Sequence, residues 1–292
     1  MKQKNDAIFQ TVVYILTVLI CLVTVYPLIY VISASFSDPA RILGGDVVLW
    51  PVDVTLNAYK RVFSSSDILT GYRNTVIYTF FGTIVNMFFT IICAYPLSLP
   101  DLKGKNGITI FITFTMFFGA GMIPEYLNIK SLGLLNNPLV LIIPGAISVT
   151  NMLIMRNYFI NSVPAALREA ADIDGASPLA TMTRIVLPLS KSILIVIILY
   201  YMVGHWNSYF SAMMYLRDRK MQPLQVFLRE ILVLTQMGDL EEQSGIDDLS
   251  VYLLYASLKY AIIVVSAVPL LILYPMVQKF FERGIMMGSL KG

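Results

Sequence analysis

Long apolar runs without Asp, Glu, Lys or Arg alternate with short charged segments along this chain. Six such runs occur, at residues 7–37, 74–100, 106–124, 131–155, 192–216 and 260–278. Each supplies about 20 mostly apolar residues, the length needed to cross a hydrocarbon core of about 30 Å. Backbone groups in lipid must bond within their own segment, and the runs lack the period-two alternation of a barrel strand. The pattern therefore predicts an all-α membrane protein with six transmembrane helices.

The composition agrees with lipid as the main solvent of the chain. Of its 292 residues, 57% are hydrophobic and 13% are charged, and the mean hydropathy is +0.72. Soluble domains carry about 25% charged residues. The net charge of +3 is small and is spread over the loops, so no nucleic-acid partner is expected.

No metal or cofactor site is expected within the chain. Cys21 and Cys93 both lie inside apolar runs, where cysteine behaves as a small hydrophobe. The single histidine, His205, has no other candidate ligand at a workable spacing. The runs also lack the ionisable residues that an ion-coupled secondary transporter needs, which counts against that class.

The loop between the fourth and fifth runs has the signals of two short helices. Pro164 suits the first turn of a helix, and Gly175 can end that helix in the left-handed conformation. Ser177 and Pro178 suit the N-cap and first position of a second helix, which we expect to end at Pro188.

The second of these helices has one apolar face. Leu179, Met182 and Val186 lie at positions i, i+3 and i+7, so they share that face. A helix of under three turns is marginal in water. We therefore expect the face to dock into a groove on a partner protein. A helix packed against the chain's own spans is an alternative that the residues leave open.

The same loop carries a spaced motif: Glu169-Ala170-Ala171, then Gly175, then Ile185, Leu187 and Pro188. This motif resembles the EAA loop of the permeases of binding-protein-dependent ABC importers. The resemblance implies a type I permease fold in the bacterial inner membrane, with this loop and the N-terminus in the cytoplasm. It also implies a coupling helix that sits in a cleft of an ATPase subunit. The residues expected to couple to the ATPase are Glu169, Ala170, Ala171, Gly175, Ser177, Leu179, Met182, Ile185 and Pro188.

The resemblance also implies a domain organisation and a set of partners. A permease core at 71–281, with the EAA loop at 162–188, follows an N-terminal span and external loop at 1–70 and precedes a cytoplasmic tail at 282–292. The chain has no G-x-x-x-x-G-K-[ST] phosphate-binding loop. We therefore expect no enzyme activity in it, with ATP and Mg²⁺ bound by two separate ATPase subunits. A second homologous permease and an external or periplasmic solute-binding protein complete the expected complex.

Shorter motifs indicate the solute class. Asn74-Thr75, Ala94-Tyr-Pro-Leu97, Trp206-Asn207 and the C-terminal Gly288–Gly292 are similar to carbohydrate uptake permeases of the maltose type. Gly121-Met-Ile-Pro124, Ser131-Leu-Gly-Leu-Leu135 and Ile143-Pro-Gly-Ala146 are similar to the branch of alginate and other oligosaccharide permeases. The resemblance implies an oligosaccharide, with an acidic, alginate-like chain as one candidate. An importer of amino acids or peptides is the alternative.

Two further groups of residues are candidates for function. In the fifth run, His205, Trp206, Asn207 and Tyr209 combine aromatic faces with hydrogen-bonding groups, which suits a sugar. Contact between helices is the alternative for these four. Met286, Met287 and Gly288 belong to a tail without a helical pattern. In maltose-type relatives a comparable tail reaches the ATPase dimer, although a solvated terminus is the usual state of a chain end.

The two long external loops have different patterns. Residues 38–73 indicate an irregular connector and a docking surface. Pro223 is expected to start a helix with an apolar stripe, followed by an acidic run at 239–248. The external binding protein is the expected partner of this segment, and packing of the stripe on the roof of the membrane domain is the alternative. The stripe consists of Leu224, Phe227, Leu228, Ile231 and Leu232.

Overall fold

The computed structural model describes residues 2–242 and 249–289, and no strand occurs in this part of the chain. The α-helices are α1 Lys2–Ser35, α2 Pro39–Leu43, α3 Asn57–Ser64, α4 Ser66–Ser98, α5 Lys105–Phe117, α6 Met122–Ser131, α7 Val149–Ser162, α8 Ala165–Ile173, α9 Pro178–Leu189, α10 Lys191–Trp206, α11 Phe210–Tyr215, α12 Leu224–Glu242 and α13 Leu249–Ser289. Short 3₁₀ turns lie at Pro138–Leu141 and Arg219–Met221. The predicted all-α fold is confirmed.

Three stretches are long and apolar enough to cross a membrane as single helices: Phe9–Ser35, Ser66–Ser98 and Tyr255–Pro275. Two further pairs of helices are long and apolar enough only when each bent pair is counted as one span, so the described residues hold three to five spans. The α5–α6 pair bends by 113° and the α9–α10 pair by 85°. The count of six spans and the cytoplasmic N-terminus stay predictions.

Three of the predicted spans are not continuous helices, and two of them are interrupted at residues with positive φ. The run at 106–124 breaks after α5, where Gly121 has a φ of +84° before α6 begins. The run at 131–155 turns at Gly133 and Asn136, whose φ values are +69° and +54°. Helix α7 begins only after Ser148, whose side chain caps it by accepting a hydrogen bond from Asn151 N–H. The absence of charge does not exclude such turns, since glycine and asparagine adopt positive φ readily.

Other helix ends also differ from the prediction. The run at 192–216 divides into α10 and α11. The expected irregular connector at 38–73 contains α2, α3 and the start of α4. The run at 260–278 is the middle of α13, which continues to Ser289, so the expected irregular tail is helical over 282–289.

The described structure divides into two compact units. One contains the chain up to Leu69 together with Phe227–Pro269, and the other contains Thr70–Val226 together with the chain from Leu270 onward. The predicted domain bounds at residues 70 and 281 stay a prediction. The second unit holds the main core, in which α4, α7, α9 and α10 meet around buried Met155, Phe159 and Ile197.

Helix α4 carries a buried polar stripe within an apolar sequence. Thr75, Thr79, Thr83, Asn86 and Thr90 are spaced three or four residues apart, so they share one face, and all five are buried. Buried polar groups in lipid are costly unless they are bonded. The stripe therefore marks the face of α4 that contacts other segments of the chain.

The N-terminal part of this stripe holds the segment that leads into α12. Asn74 Nδ2 donates to Lys220 O at 2.8 Å and to Gln222 O at 3.0 Å. Thr75 Oγ1 accepts from Leu224 N–H at 2.8 Å. These bonds satisfy backbone groups that precede the helix, which begins directly after Pro223 as predicted.

The apolar stripe of α12 is buried in this structure at Leu224, Phe227 and Ile231. It is therefore not an exposed docking face. The acidic run at 239–248 lies outside the part of the structure in which side chains are described.

Replacing Asn74 tests this arrangement. Asn74→Ala leaves the carbonyls of Lys220 and Gln222 without their donor, so we expect a loss of about 1–3 kcal/mol of stability, measured as a lower midpoint of thermal unfolding in detergent. Asn57→Ala is the matched control, because Asn57 is exposed on the short helix α3. Equal midpoints for the two variants would contradict the assigned role of Asn74.

Candidate functional site

The EAA loop folds as two helices joined by a left-handed turn. Helix α8 ends at Ile173, and Gly175 has a φ of +72°. Ala176 N–H then bonds to Ala171 O at 2.9 Å, which closes the turn. Ser177 caps α9 by accepting a bond from Ala180 N–H at 3.3 Å. The predicted roles of Gly175 and Ser177 in the backbone are confirmed.

Helix α9 does not end at Pro188 as expected. It widens into a π turn over Met182–Val186, in which Leu187 N–H bonds to Met182 O, five residues back. It then continues to Leu189. A proline lacks the N–H of the usual bond and clashes with the carbonyl four residues before it, and a wider turn relieves both problems.

The apolar face of α9 packs mainly against its own chain. Val186 is fully buried, and Met182 packs against the same core as Phe159. Leu179 is 66% exposed, and Ile173 at the end of α8 is 87% exposed. The structure thus favours the alternative of packing on the chain's own helices for most of this face, and it leaves Leu179 and Ile173 available to a partner.

The nine residues expected to couple to the ATPase differ in exposure. Glu169, Ala170, Gly175, Ser177, Leu179 and Pro188 are exposed, Met182 and Ile185 are half-buried, and Ala171 is buried. The 85° bend between α9 and α10 sets α9 across the axis of the following span. A helix in that orientation lies along the membrane surface when α10 crosses the bilayer.

Basic side chains bond the end of α4, and sequence reasoning missed them. Arg156 Nε donates to Leu97 O at 2.8 Å. Lys105 Nζ donates to Leu99 O at 3.1 Å and to Pro100 O at 2.9 Å. The last carbonyls of a helix have no partner inside it and carry partial negative charge, so cations stabilise them.

Arg168, inside the EAA loop, makes the corresponding bonds from α8. Its guanidinium donates to Ser98 O at 3.5 Å and to Phe159 O. It also lines a cavity of about 490 Å³ together with Asp101, Glu169 and Asp172. Arg168 therefore ties the loop both to the end of α4 and to α7.

The structure shows His205 as a contact between helices. Its Nε2 lies 2.5 Å from Asn86 Oδ1, and Asn86 Nδ2 donates to Gly145 O at 2.6 Å. A Cβ on Gly82 would lie 2.5 Å from His205 Nε2, so only glycine leaves room for the ring. Among the described residues, no three metal-ligating side chains come together.

A second polar bridge lies one helical turn before His205. Tyr201 Oη lies 2.7 Å from Thr90 Oγ1 and accepts from Ser148 N–H at 3.1 Å. Both bridges join α4 and α10 to the backbone that precedes α7. The signal that could have revealed them is the three- and four-residue spacing of polar residues on α4.

The other three candidates for the solute path, Trp206, Asn207 and Tyr209, have different surroundings. Trp206 is buried with its ring 5.8 Å from that of Tyr72. Asn207 Nδ2 donates to Val203 O at 2.9 Å, which caps α10. Tyr209 is partly exposed beside Phe210. The four predicted solute-path residues are thus not gathered into one site.

Trp206 lines a mostly apolar cavity of about 700 Å³ between α4, α10 and α13. Thr79 and Thr83 line the same cavity, and their buried hydroxyls have no hydrogen-bond partner in the described part of the chain. For Met286, Met287 and Gly288, the structure describes only the helical backbone at the end of α13.

Comparisons with known proteins extend over nearly the whole chain. The family model described as the binding-protein-dependent transport system inner membrane component matches residues 68–287. The polygalacturonan/rhamnogalacturonan transport system permease protein YtcP of Bacillus subtilis (strain 168) is 38% identical over 291 residues, 99% of this chain and 100% of that protein. Protein LplC of the same organism is 39% identical over 270 residues, 92% of this chain and 90% of that protein.

A solved structure has the same fold, with a sequence identity similar to that of these relatives. It is a crystal structure of a bacterial ABC transporter involved in the import of the acidic polysaccharide alginate, with a TM-score of 0.85 and 38% identity. The match covers 95% of this chain and 98% of that one. These matches include the EAA loop, and they confirm the resemblance, the permease fold and the inner-membrane location. The chain belongs to the family of binding-protein-dependent transport system inner membrane components, the permeases of ABC importers.

Proposed function

We propose that the chain imports an oligosaccharide, and that acidic oligosaccharides are its substrates. One observation carries this proposal: the match with a polygalacturonan/rhamnogalacturonan permease and an alginate importer runs end to end at 38% identity. Alginate and polygalacturonan are both acidic polysaccharides. Substrates of amino-acid or peptide type have no comparable support.

In this proposal the chain works within a larger complex. A second, homologous permease pairs with it, and two cytoplasmic ATPase subunits bind ATP and Mg²⁺. An external binding protein delivers the solute. ATP closes the ATPase dimer, moves the EAA loop and opens the spans outward by alternating access. The residues of this chain transmit that motion and position the solute.

The EAA loop is suited to transmit motion because it is attached at three points. Leu179 and Ile173 offer exposed apolar side chains to an ATPase subunit. Arg168 bonds the end of α4, and Val186 is fixed in the core. A push on α9 must therefore move α4 and α10 or break these contacts.

We place fewer residues on the solute path than the sequence suggested. His205 is already bonded to Asn86 and serves to hold helices together. Trp206 lines an apolar cavity of about 700 Å³, which Thr79 and Thr83 also line. The apolar face of an aromatic ring can stack on the C–H face of a sugar, so Trp206 is the residue we place on the path.

The substrate class is tested with the whole complex in proteoliposomes. Its binding protein is added with a panel of neutral oligosaccharides, acidic oligosaccharides, amino acids and peptides, and ATP hydrolysis is measured. We expect several-fold stimulation by one or more acidic oligosaccharides. Stimulation by an amino acid or peptide alone would contradict the proposal.

The contact through Leu179 is tested by a charge substitution. Burial of a leucine contributes about 1.5–3 kcal/mol, so Leu179→Asp is expected to weaken association with the ATPase subunits about tenfold or more. The measurement is the amount of ATPase that co-purifies with the membrane-inserted permease. Val54→Asp is the control, because Val54 is similarly exposed but lies between α2 and α3. Equal recovery of ATPase with both variants would exclude Leu179 from the contact.

A further inference from the structure

Residues 47–52, here called the Trp50 loop, form an uncharged projection after α2. Their sequence is Val-Val-Leu-Trp-Pro-Val. Val47 is buried and fixes the base of the loop, whereas Val48 and Leu49 are exposed and Trp50 is 80% exposed. Three consecutive exposed apolar side chains are unusual on a surface that faces water.

The Trp50 loop folds back along the end of α1. Ser33 Oγ donates to Leu49 O at 2.6 Å, and Val52 N–H donates to Ser37 Oγ at 3.0 Å. The side chain of Leu49 shares a groove with Tyr26, Ile29 and other apolar residues of α1. The tip of the loop therefore lies beside the last turns of this helix.

The level of those turns in the bilayer follows from the length of α1. The apolar stretch Phe9–Ser35 has 27 residues, and none of its most apolar window is buried. At 1.5 Å per residue this stretch is about 40 Å long, which exceeds a hydrocarbon core of about 30 Å. The end of α1 therefore lies at the boundary between the acyl chains and the headgroups.

Charged groups flank the Trp50 loop on both sides. Asp46 precedes it and Asp53 follows it, and both pair with Arg41, at 3.2 Å and 2.7 Å. Hydrogen bonds to Asp53 and then Asp46 raise the pKa of Arg41, which stays charged. The result is an apolar tip on a charged base, and tryptophan at such a tip prefers the membrane interface.

We infer that the Trp50 loop is a lipid anchor, in which Val48, Leu49 and Trp50 insert between the lipid headgroups of the leaflet that the end of α1 reaches. The apolar surface is continuous from α1 to Leu49, and none of the most apolar window of α1 is buried within this chain, which favours lipid as the partner of the loop. The anchor fixes the depth of this end of α1.

The chain offers a direct optical test, since it has two tryptophans. The complex is reconstituted in phosphatidylcholine vesicles, and the signal of Trp50 is the fluorescence of the wild type minus that of Trp50→Phe. Quenching is measured with lipid brominated near the glycerol end of its acyl chains, with lipid brominated near the methyl end, and with aqueous iodide. We expect strong quenching by the first lipid and weak quenching by iodide.

A matched control moves the tryptophan from position 50 to position 54, which follows Asp53 of the charged base. In the double variant Trp50→Phe/Val54→Trp the indole lies beyond Asp53, where Thr55 N–H bonds to Phe36 O after the end of α1. Here we expect quenching by iodide and little by brominated lipid. Equal lipid quenching at both positions would overturn the assignment to residues 48–50.

Other results would identify a different partner and overturn the inference. Strong iodide quenching of Trp50 without lipid quenching would place the loop in water. Iodide quenching that the binding protein abolishes would make the loop a protein-docking surface. Protection from all quenchers would place it against another subunit.

Discussion

A backbone inside lipid has no water to bond, so every interruption of a helix needs a partner from elsewhere in the chain. This permease interrupts its helices repeatedly, around Gly121, between Gly133 and Ser148, and after Trp206. At the second of these breaks, freed backbone groups are bonded by side chains of other helices. Asn86 bonds Gly145 O, and Tyr201 bonds Ser148 N–H. Thr75, Asn86 and Thr90 of the buried polar stripe of α4 make bonds of this kind to backbone or to Tyr201, which explains part of the polar face of this apolar helix.

The same requirement connects the EAA loop to the spans. The last carbonyls of α4 are bonded by Arg156 of α7 and by Arg168 of the loop itself, and Lys105 of α5 bonds the two carbonyls that follow the helix. Helix α9 lies across α10 and is fixed in the core by Val186. The loop therefore combines an exposed edge, at Leu179 and Ile173, with attachments to three helices of the permease. This combination is what a part that transmits force between an ATPase and the spans requires.

Local features of this structure could be predicted from the sequence, and distant contacts could not. Gly175 and Ser177 act on neighbours within four residues, so the turn and the helix cap follow from residue type and spacing. The break at residues 118–121 was missed because a charge-free run does not reveal where glycine turns the chain. Arg168 was missed because its partners are backbone carbonyls, which leave no pattern in side chains. For His205 the sequence left contact between helices open as an alternative, but the partner could not be predicted, because the bond to Asn86 joins residues 119 positions apart.

If the turn between α8 and α9 transmits ATP-driven motion, substitution of Gly175 must disturb that transmission. A Cβ at Gly175 meets no neighbouring atom within 4 Å, so a substitution there acts through the backbone. The left-handed conformation costs an ordinary residue about 1–2 kcal/mol, while asparagine tolerates it. The measurement is solute-stimulated ATP hydrolysis by complexes reconstituted in equal amounts. We expect Gly175→Val to lose most of the stimulation and Gly175→Asn to retain most of it. Full stimulation in both variants would exclude this turn from the transmission of motion.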